Sequence, residues 1–269
     1  VLAQGPLGGV ALDADQAARG GQTRVRTASA IEPDWLLEEF PEAVTERVEL
    51  RWNADQQRVE RFEGLFYGDL CFDESRRAAR PGEAGVAECL LQALQDSGLG
   101  ELQARIDPLL DRVAFLARLR PGLGLPDREG LRGQLLQQVA TEAASHADLA
   151  AADWAWCLRE RLGETTFTLL QKLAPEQVQL PRRRVAVHYA GEAPWIASRL
   201  QDFIGLREGP RIGGGEVPLV LHLLAPNQRA VQVTTDLAGF WQRAYQELRP
   251  QLSRRYPRHA WPEDPSPGP

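Results

Sequence analysis

DLAGFWQRAYQELRPQLSRRYPRHAWPEDP (Asp236–Pro265) begins as a capped helix and ends as a basic, proline-containing tail. Asp236, or Thr235 before it, can accept hydrogen bonds from the first backbone N–H groups of a helix that starts at Leu237. The apolar side chains of this helix form one continuous stripe along one face: Leu237, Phe240, Trp241, Ala244, Tyr245 and Leu248. A base-stacking surface needs exposed, separated rings, whereas a continuous apolar stripe favours packing onto strands of the same domain. The pattern therefore predicts packing.

The second half of this stretch is rich in cations and rings. We expect the chain to kink at Pro250, because proline inside a helix costs about 3 kcal/mol. Arg254, Arg255 and Arg258 then lie close in sequence to Tyr256 and Trp261. They are candidate nucleic-acid contacts, since guanidiniums bind phosphates and rings stack on bases. The alternative is a tail that straps itself across its own domain through Tyr-Pro and Trp-Pro anchors, with solvated arginines.

Another basic group lies earlier in the chain: Arg182, Arg183 and Arg184 directly precede a predicted strand. These arginines are also candidate RNA contacts. The alternative is a charged strand edge, which commonly protects a sheet against aggregation.

The residues between the two basic groups predict a small α/β layer over residues 181–257, followed by a tail over 258–269. RRVAVHYA is interpreted as a strand and APWIASRLQDFIGL as a helix. EVPLVLHLLA and RAVQVTT are two further strands before the final helix, which gives a β-α-β-β-α order.

Two other regions precede this layer. Residues 1–79 are β-rich: RVRTASAI (Arg24–Ile31) alternates, and RVELRWNADQQRVERFEGLFYGDLCF (Arg47–Phe72) predicts two or three strands with a hairpin turn at Asn53–Gln56. The short PDWLLEEF between them predicts one or two helical turns. Residues 80–180 have helical periodicity and predict a connector. The expected fold class is therefore multidomain α+β, with a small β-rich first segment that forms either a compact barrel or an incomplete one.

Composition limits the possible functions. The chain has 269 residues and a formal net charge of −6, so any contact with nucleic acid must come from local basic patches. No apolar run is long enough to span a bilayer. The three cysteines are too far apart in sequence for a disulfide framework or a zinc site, which favours a reducing cytoplasm.

The sequence shows no catalytic, cofactor-binding or metal-binding constellation. The phosphate-binding G-x-x-x-x-G-K-[ST] loop is absent, and Gly213–Gly215 predict a turn with positive φ rather than a phosphate cradle. His188 and His222 lie on apolar predicted strands, where we expect packed, hydrogen-bonded side chains.

Residues Val217–Pro265, with DLAGFW and RYPRHAWPEDP, resemble the C-terminal signature of the bacterial HrpB-type ATP-dependent helicases of the DEAH/RHA group. RVRTASAIEPDWLLEEFP and LPRRRVAVHYAGEAPWIASRLQDFIGL resemble segments further upstream in that family. The likeness begins near Gly9 and is weakest between about Gly98 and Glu164. Ala230 departs from it, because the family usually has proline there.

The resemblance implies an accessory region of an RNA helicase, with an oligonucleotide-binding (OB)-like barrel in residues 1–79. The family's two RecA-like domains would precede Val1, so ATP and Mg²⁺ are expected to bind there and not to this chain. Expected partners are RNA and the helicase core. The alternative function is a protein-interaction scaffold that recruits a protein partner and never contacts RNA.

Overall fold

A computed structural model describes the backbone of residues 2–5, 8–15 and 24–266, and the side chains of residues 31, 32 and 34–266. Two compact units are present, each formed by separate stretches of chain. Unit 1 comprises Val1–Leu99 and Gln137–Ala152, and unit 2 comprises Gly100–Leu136 and Asp153–Pro269. Strands and helices occur together, which confirms the α+β class. The boundaries proposed at 79, 180 and 257 stay predictions.

The first part of the chain forms strands and one short helix, followed by a run of helices. The strands are β1 (Leu2–Gly5), β2 (Gly8–Asp15), β3 (Arg24–Ile31), β4 (Val44–Asn53), β5 (Arg58–Tyr67) and β6 (Leu70–Ala78). The helices are α1 (Pro33–Glu39), α2 (Val86–Ser97), α3 (Leu102–Leu119), α4 (Arg128–Ala140), α5 (His146–Ala151), α6 (Trp154–Leu162) and α7 (Glu164–Leu173).

The remainder of the chain forms short strands and the final helices. The strands are β7 (Gln177–Gln179), β8 (Arg184–Ala186), β9 (Trp195–Arg199), β10 (Arg211–Ile212), β11 (Val217–Pro218), β12 (Val220–Leu224) and β13 (Ala230–Thr234). The helices are α8 (Leu200–Phe203), α9 (Leu237–Gln242) and α10 (Ala244–Arg255).

Two antiparallel three-stranded sheets dominate unit 1, in the orders β1-β2-β3 and β4-β5-β6, and β1 lies beside β6. The predicted hairpin turn is confirmed: Asn53 Oδ1 accepts a hydrogen bond from the Gln56 N–H at 3.0 Å. The later segment of this unit is tied to β5, because the Val59 N–H donates to the Ala144 carbonyl at 2.8 Å. The sheet and the later segment thus belong to one unit although residues 79–136 lie between them in sequence.

Unit 2 combines helices with a small mixed sheet. α3 packs against α6 and α7 and buries its apolar face. The sheet has the order β13-β12-β9; β12 pairs with β13 in antiparallel and with β9 in parallel orientation. Ile196, Leu221 and Leu223 point to the covered side of this sheet and are fully buried.

Two predictions for this region are wrong. The stretch Ala193–Leu206, predicted as a helix, begins as strand β9, because Trp195–Arg199 pairs with β12; only Leu200–Phe203 is helical. The final helix does not break at Pro250, which lies inside α10. Its interruption is at Arg243, whose φ and ψ are −111° and −80°.

The strand predicted at RRVAVHYA is shorter than expected and covers Arg184–Ala186. β12, β13 and the helix start at Leu237 agree with the sequence prediction, and the stripe of α9 and α10 is packed as expected. Among the described residues, no helix is long and apolar enough to cross a bilayer.

Candidate nucleic-acid interface

The first basic group occupies the tip of a small hairpin. β7 and β8 pair in antiparallel orientation, and the Leu180 N–H donates to the Arg183 carbonyl at 2.8 Å to close the turn. Arg182, Arg183 and Arg184 are all exposed. The turn therefore displays three guanidiniums to solvent while Val185 packs inward with 8% exposure.

The second basic group lies at the C-terminal end of α10. Arg254, Arg255 and Arg258 are exposed, and the Arg255 guanidinium lies 5.7 Å from the centre of the Tyr256 ring. Arginine at a helix C-terminus is favourable, because the last carbonyls carry partial negative charge. The two basic groups occupy different elements of unit 2, and no hydrogen bond or ion pair among the described residues joins them.

The tail after α10, residues 256–266, returns along its own unit, and we call it the strap. Tyr245 Oη donates to the Pro262 carbonyl at 2.8 Å, and Gln246 Nε2 donates to the Glu263 carbonyl at 2.9 Å. The Gly205 N–H donates to the Pro265 carbonyl at 2.8 Å. Burial raises the pKa of Tyr245, so its phenol stays a protonated donor at neutral pH. The tail thus lies along its own unit, as the strap alternative predicted.

The strap does not use the candidate arginines. The ion pair that holds the strap joins Arg249 of α10 to Glu263 at 3.1 Å. Outside the strap, Arg243 pairs with Asp236 at 3.1 Å. Within the described residues, Arg254, Arg255 and Arg258 have no carboxylate partner. Strapping and phosphate binding, which were alternatives at the level of sequence, are therefore compatible in the folded chain.

A third feature, which the sequence did not indicate, is a stack of rings on the mixed sheet. His188 and Trp195 are stacked, with ring centres 4.0 Å apart and planes inclined by 16°. His222 lies on the next strand, 4.6 Å from Trp195. We call these three side chains the ring ladder. Partial burial lowers the pKa of His188, and the neighbouring His222 lowers it further, so His188 is mainly neutral at pH 7.

The ring ladder corrects the interpretation of His188. This side chain is exposed apart from its stacked contact with Trp195, whereas His222 is half-buried. Their proximity depends on parallel pairing of β9 with β12, which sets Trp195 opposite Val220 and diagonal to His222. The residues around Trp195 also suit a helix, so local sequence patterns do not place this side chain on a sheet.

The glycine cluster does not fit a nucleotide. Gly213, Gly214 and Gly215 have φ of 68°, 75° and 92°, which confirms the predicted turn. A side-chain carbon at Gly213 would lie 3.0 Å from Leu119, and strand β11 follows the turn where a phosphate-binding loop would continue into a helix. Among the described residues, no group of three or more histidine, cysteine or acidic side chains could hold a metal ion.

Comparison with known proteins gives a consistent result. Residues 135–265 match the family model described as "ATP-dependent helicase C-terminal" (HrpB_C). The ATP-dependent RNA helicase HrpB of Escherichia coli (strain K12) is 30% identical over 260 residues, which cover 93% of this chain and 32% of that protein. The chain belongs to the C-terminal region of the HrpB-type helicases.

Solved structures of HrpB agree. The crystal structure of the E. coli DExH-box NTPase HrpB has a TM-score of 0.63 and 29% identity, covering 97% of this chain and 33% of that one. A second structure, of the E. coli DEAH/RHA helicase HrpB, gives a TM-score of 0.53 and 29% identity over 81% of this chain and 29% of the other. The chain thus spans about a third of its HrpB relative. Both arginine groups, the ring ladder and the strap up to Pro265 lie within the residues that match HrpB_C.

Proposed function

We propose that this chain is an accessory region of a cytoplasmic ATP-dependent RNA helicase, which holds single-stranded RNA beside the helicase core. The relative's name, an ATP-dependent RNA helicase, supports this assignment. ATP and Mg²⁺ would bind to the core domains and not to this chain. The RNA would contact unit 2 through Arg182, Arg183 and Arg184 of the β7–β8 turn, and through the second group, Arg254, Arg255 and Arg258.

The observation that carries the proposal is the state of these six guanidiniums. All are exposed, and in the described part of the chain none has a carboxylate partner, whereas Arg243 and Arg249 nearby are ion-paired. Arginine binds phosphate through a planar fork of N–H donors. In a chain with net charge −6, unneutralised cations concentrated at two positions of one unit provide the local field that RNA requires.

The N-terminal segment fits the same proposal. We propose that residues 1–79 form the OB-like part of the region. Two antiparallel three-stranded sheets, with β1 beside β6, support a small barrel-like arrangement. Such barrels bind oligonucleotides on their strands.

The test is a salt titration of RNA binding. Replacing Arg254, Arg255 and Arg258 with glutamine should weaken binding equally for every RNA sequence, because phosphates carry no sequence information. Each lost contact should reduce the slope of log K against log salt by about 0.7 for a single strand. Replacing Arg182, Arg183 and Arg184 with glutamine should likewise weaken RNA binding and reduce the salt slope.

The matched control is Arg243→Gln, which removes an ion-paired guanidinium from the same helical segment. It should leave the slope unchanged. Unchanged slopes in both triple variants would contradict the proposal and favour a protein-interaction scaffold.

A specific observation supports this second function: α1 and the residue after it expose apolar side chains, with Trp35 at 53% and Phe40 at 52% exposure. Exposed apolar groups of this size are typical of protein contacts.

A further inference from the structure

The mixed sheet of unit 2 has one covered and one open face. On the covered face, Ile196, Leu221 and Leu223 are fully buried. Side chains alternate along a strand, so Trp195, Ala197 and Arg199 of β9 share the other face with His222 of β12. None of these four is buried, and Val233, opposite His222 on β13, is 49% exposed.

The preceding segment extends this open face. From Arg184 to Tyr189, exposed and buried residues alternate: Val185, Val187 and Tyr189 are buried, whereas Arg184, Ala186 and His188 are exposed. His188 is fixed in position by two backbone hydrogen bonds with Trp195, at 2.8 and 2.9 Å. Arg184 therefore lies on the same side of the chain as the ring ladder, which is His188, Trp195 and His222.

The chemistry of the open face indicates its occupant. Rings are stacked at its centre, and two exposed arginines are presented on the same face: Arg184 lies four residues before His188, and Arg199 lies four residues after Trp195. The positions that the strands present on this face carry no carboxylate. A protein partner with an apolar surface would gain little from two imidazoles and two arginines. A nucleobase can stack on a ring while its phosphates meet the arginines.

We propose that the ring ladder is a base-stacking platform for single-stranded RNA. His188, at its exposed end, offers its free ring face to an unpaired base, and Trp195 supports His188 from beneath. Arg184 and Arg199 contact the phosphates on either side. The platform rests on the proposed RNA-binding function and shares Arg184 with it. Its stacking residues are separate from Arg254, Arg255 and Arg258, so the two can fail separately.

The experiment measures binding of the 269-residue chain to an unstructured oligouridine of about twelve nucleotides, a length that spans one single-strand site. His188→Ala removes the exposed ring but keeps the backbone bonds to Trp195. It should weaken oligouridine binding about 5- to 150-fold, the usual loss for one stacked base. His188→Phe, which restores a ring, should recover most of the affinity.

An abasic oligonucleotide of the same length separates stacking from charge. It keeps the phosphates but has no bases, so His188→Ala should leave its binding unchanged. Arg184→Gln should weaken binding of both the abasic oligonucleotide and oligouridine. Equal oligouridine affinity of His188→Ala and the parent chain, with unaltered melting temperature, would overturn the platform. If the arginine variants of α10 still reduce the salt slope in that case, the proposed function stands without it.

The same measurement distinguishes a protein occupant. If His188→Ala binds oligouridine normally but associates less tightly with the ATPase core of an HrpB-type helicase, the open face contacts protein and the platform is wrong. Loss of oligouridine affinity with normal association to the core supports it.

Discussion

At the scale of single residues, Gly64 shows how closely packed the sheet of unit 1 is. It lies between Phe62 and Phe66 on one face of β5, and both rings are buried. Arg51 and Arg47 cover these rings, with guanidinium carbons 4.0 and 4.4 Å from the ring centres. A side-chain carbon at position 64 would lie 2.8 Å from Phe66 and 2.9 Å from Phe62. Only glycine leaves room for the two rings.

Gly64→Ala should therefore destabilise unit 1. Forcing an extra carbon into a filled site costs about 1–3 kcal/mol, because the rings have to leave their preferred positions. Chemical denaturation followed by circular dichroism measures the loss. The control is Gly133→Ala on the exposed side of α4, where no atom lies within 4 Å of the new carbon. That change should raise stability by up to about 1 kcal/mol. Equal effects of the two substitutions would contradict this account of Gly64.

At the scale of elements, α9 is fixed to its unit by Trp241. The indole is 4% exposed and contacts Phe240 and Tyr245, with ring centres 5.1 Å away in both pairs. Its Nε1–H donates to the Leu206 carbonyl at 2.9 Å. Because Arg243 interrupts the helix, the two halves of the apolar stripe meet at these rings rather than along one straight helix.

Trp241→Ala should cost about 3–5 kcal/mol, as truncation of a large buried aromatic does. Trp156→Ala, on α6 of the same unit, is the matched control, because that indole is 55% exposed. It should change stability by no more than about 0.5 kcal/mol. Urea denaturation of both variants tests the difference. A Trp241→Ala chain as stable as the control would show that the indole is not a packing residue.

The elements also show what sequence patterns can predict. The β4–β5 hairpin, α1 and the helix start at Leu237 were predictable, because alternation, turn chemistry and capping are local signals. Asp236 does cap α9, accepting from the Gly239 N–H at 2.7 Å. β9 was not predictable: its apolar residues also suit a helix, and pairing with β12 decides the outcome. The ring ladder was missed for the same reason.

Pro250 illustrates a different error. Proline removes one backbone donor, and its ring crowds the carbonyl four residues earlier, which would be that of Gln246 in a regular helix. Because α10 begins at Ala244, Gln246 lies in its first turn, and its carbonyl is the one that loses a backbone donor to Pro250. Side chains hold this helix by tertiary bonds: Gln246 and Arg249 both contact Glu263 of the strap. Tertiary contacts thus outweigh the local preference that predicted a kink.

At the scale of the whole molecule, chain order and compact units do not coincide. α4 runs from Gly100–Leu136, in unit 2, into Gln137–Ala152, in unit 1. Helical periodicity over residues 80–180 identified helices but carried no information about which unit each would join. Ser145 fixes the start of α5 locally, where its Oγ accepts from the Asp148 N–H at 3.1 Å. The backbone bond from Val59 to Ala144 then ties this segment to β5.

The chain as a whole should not bind ATP. A nucleotide needs several backbone N–H groups converging on its phosphates, with a lysine or arginine and a metal ion to balance the charge. The glycine turn at Gly213–Gly215 faces Leu119 and Leu173 instead, and the chain's single lysine, Lys172, lies on α7. Titration of Mg·ATP by calorimetry should give no saturable heat at micromolar concentrations, whereas oligouridine should. Saturable binding of Mg·ATP would place a nucleotide site in this region and contradict the assignment of ATP to the helicase core.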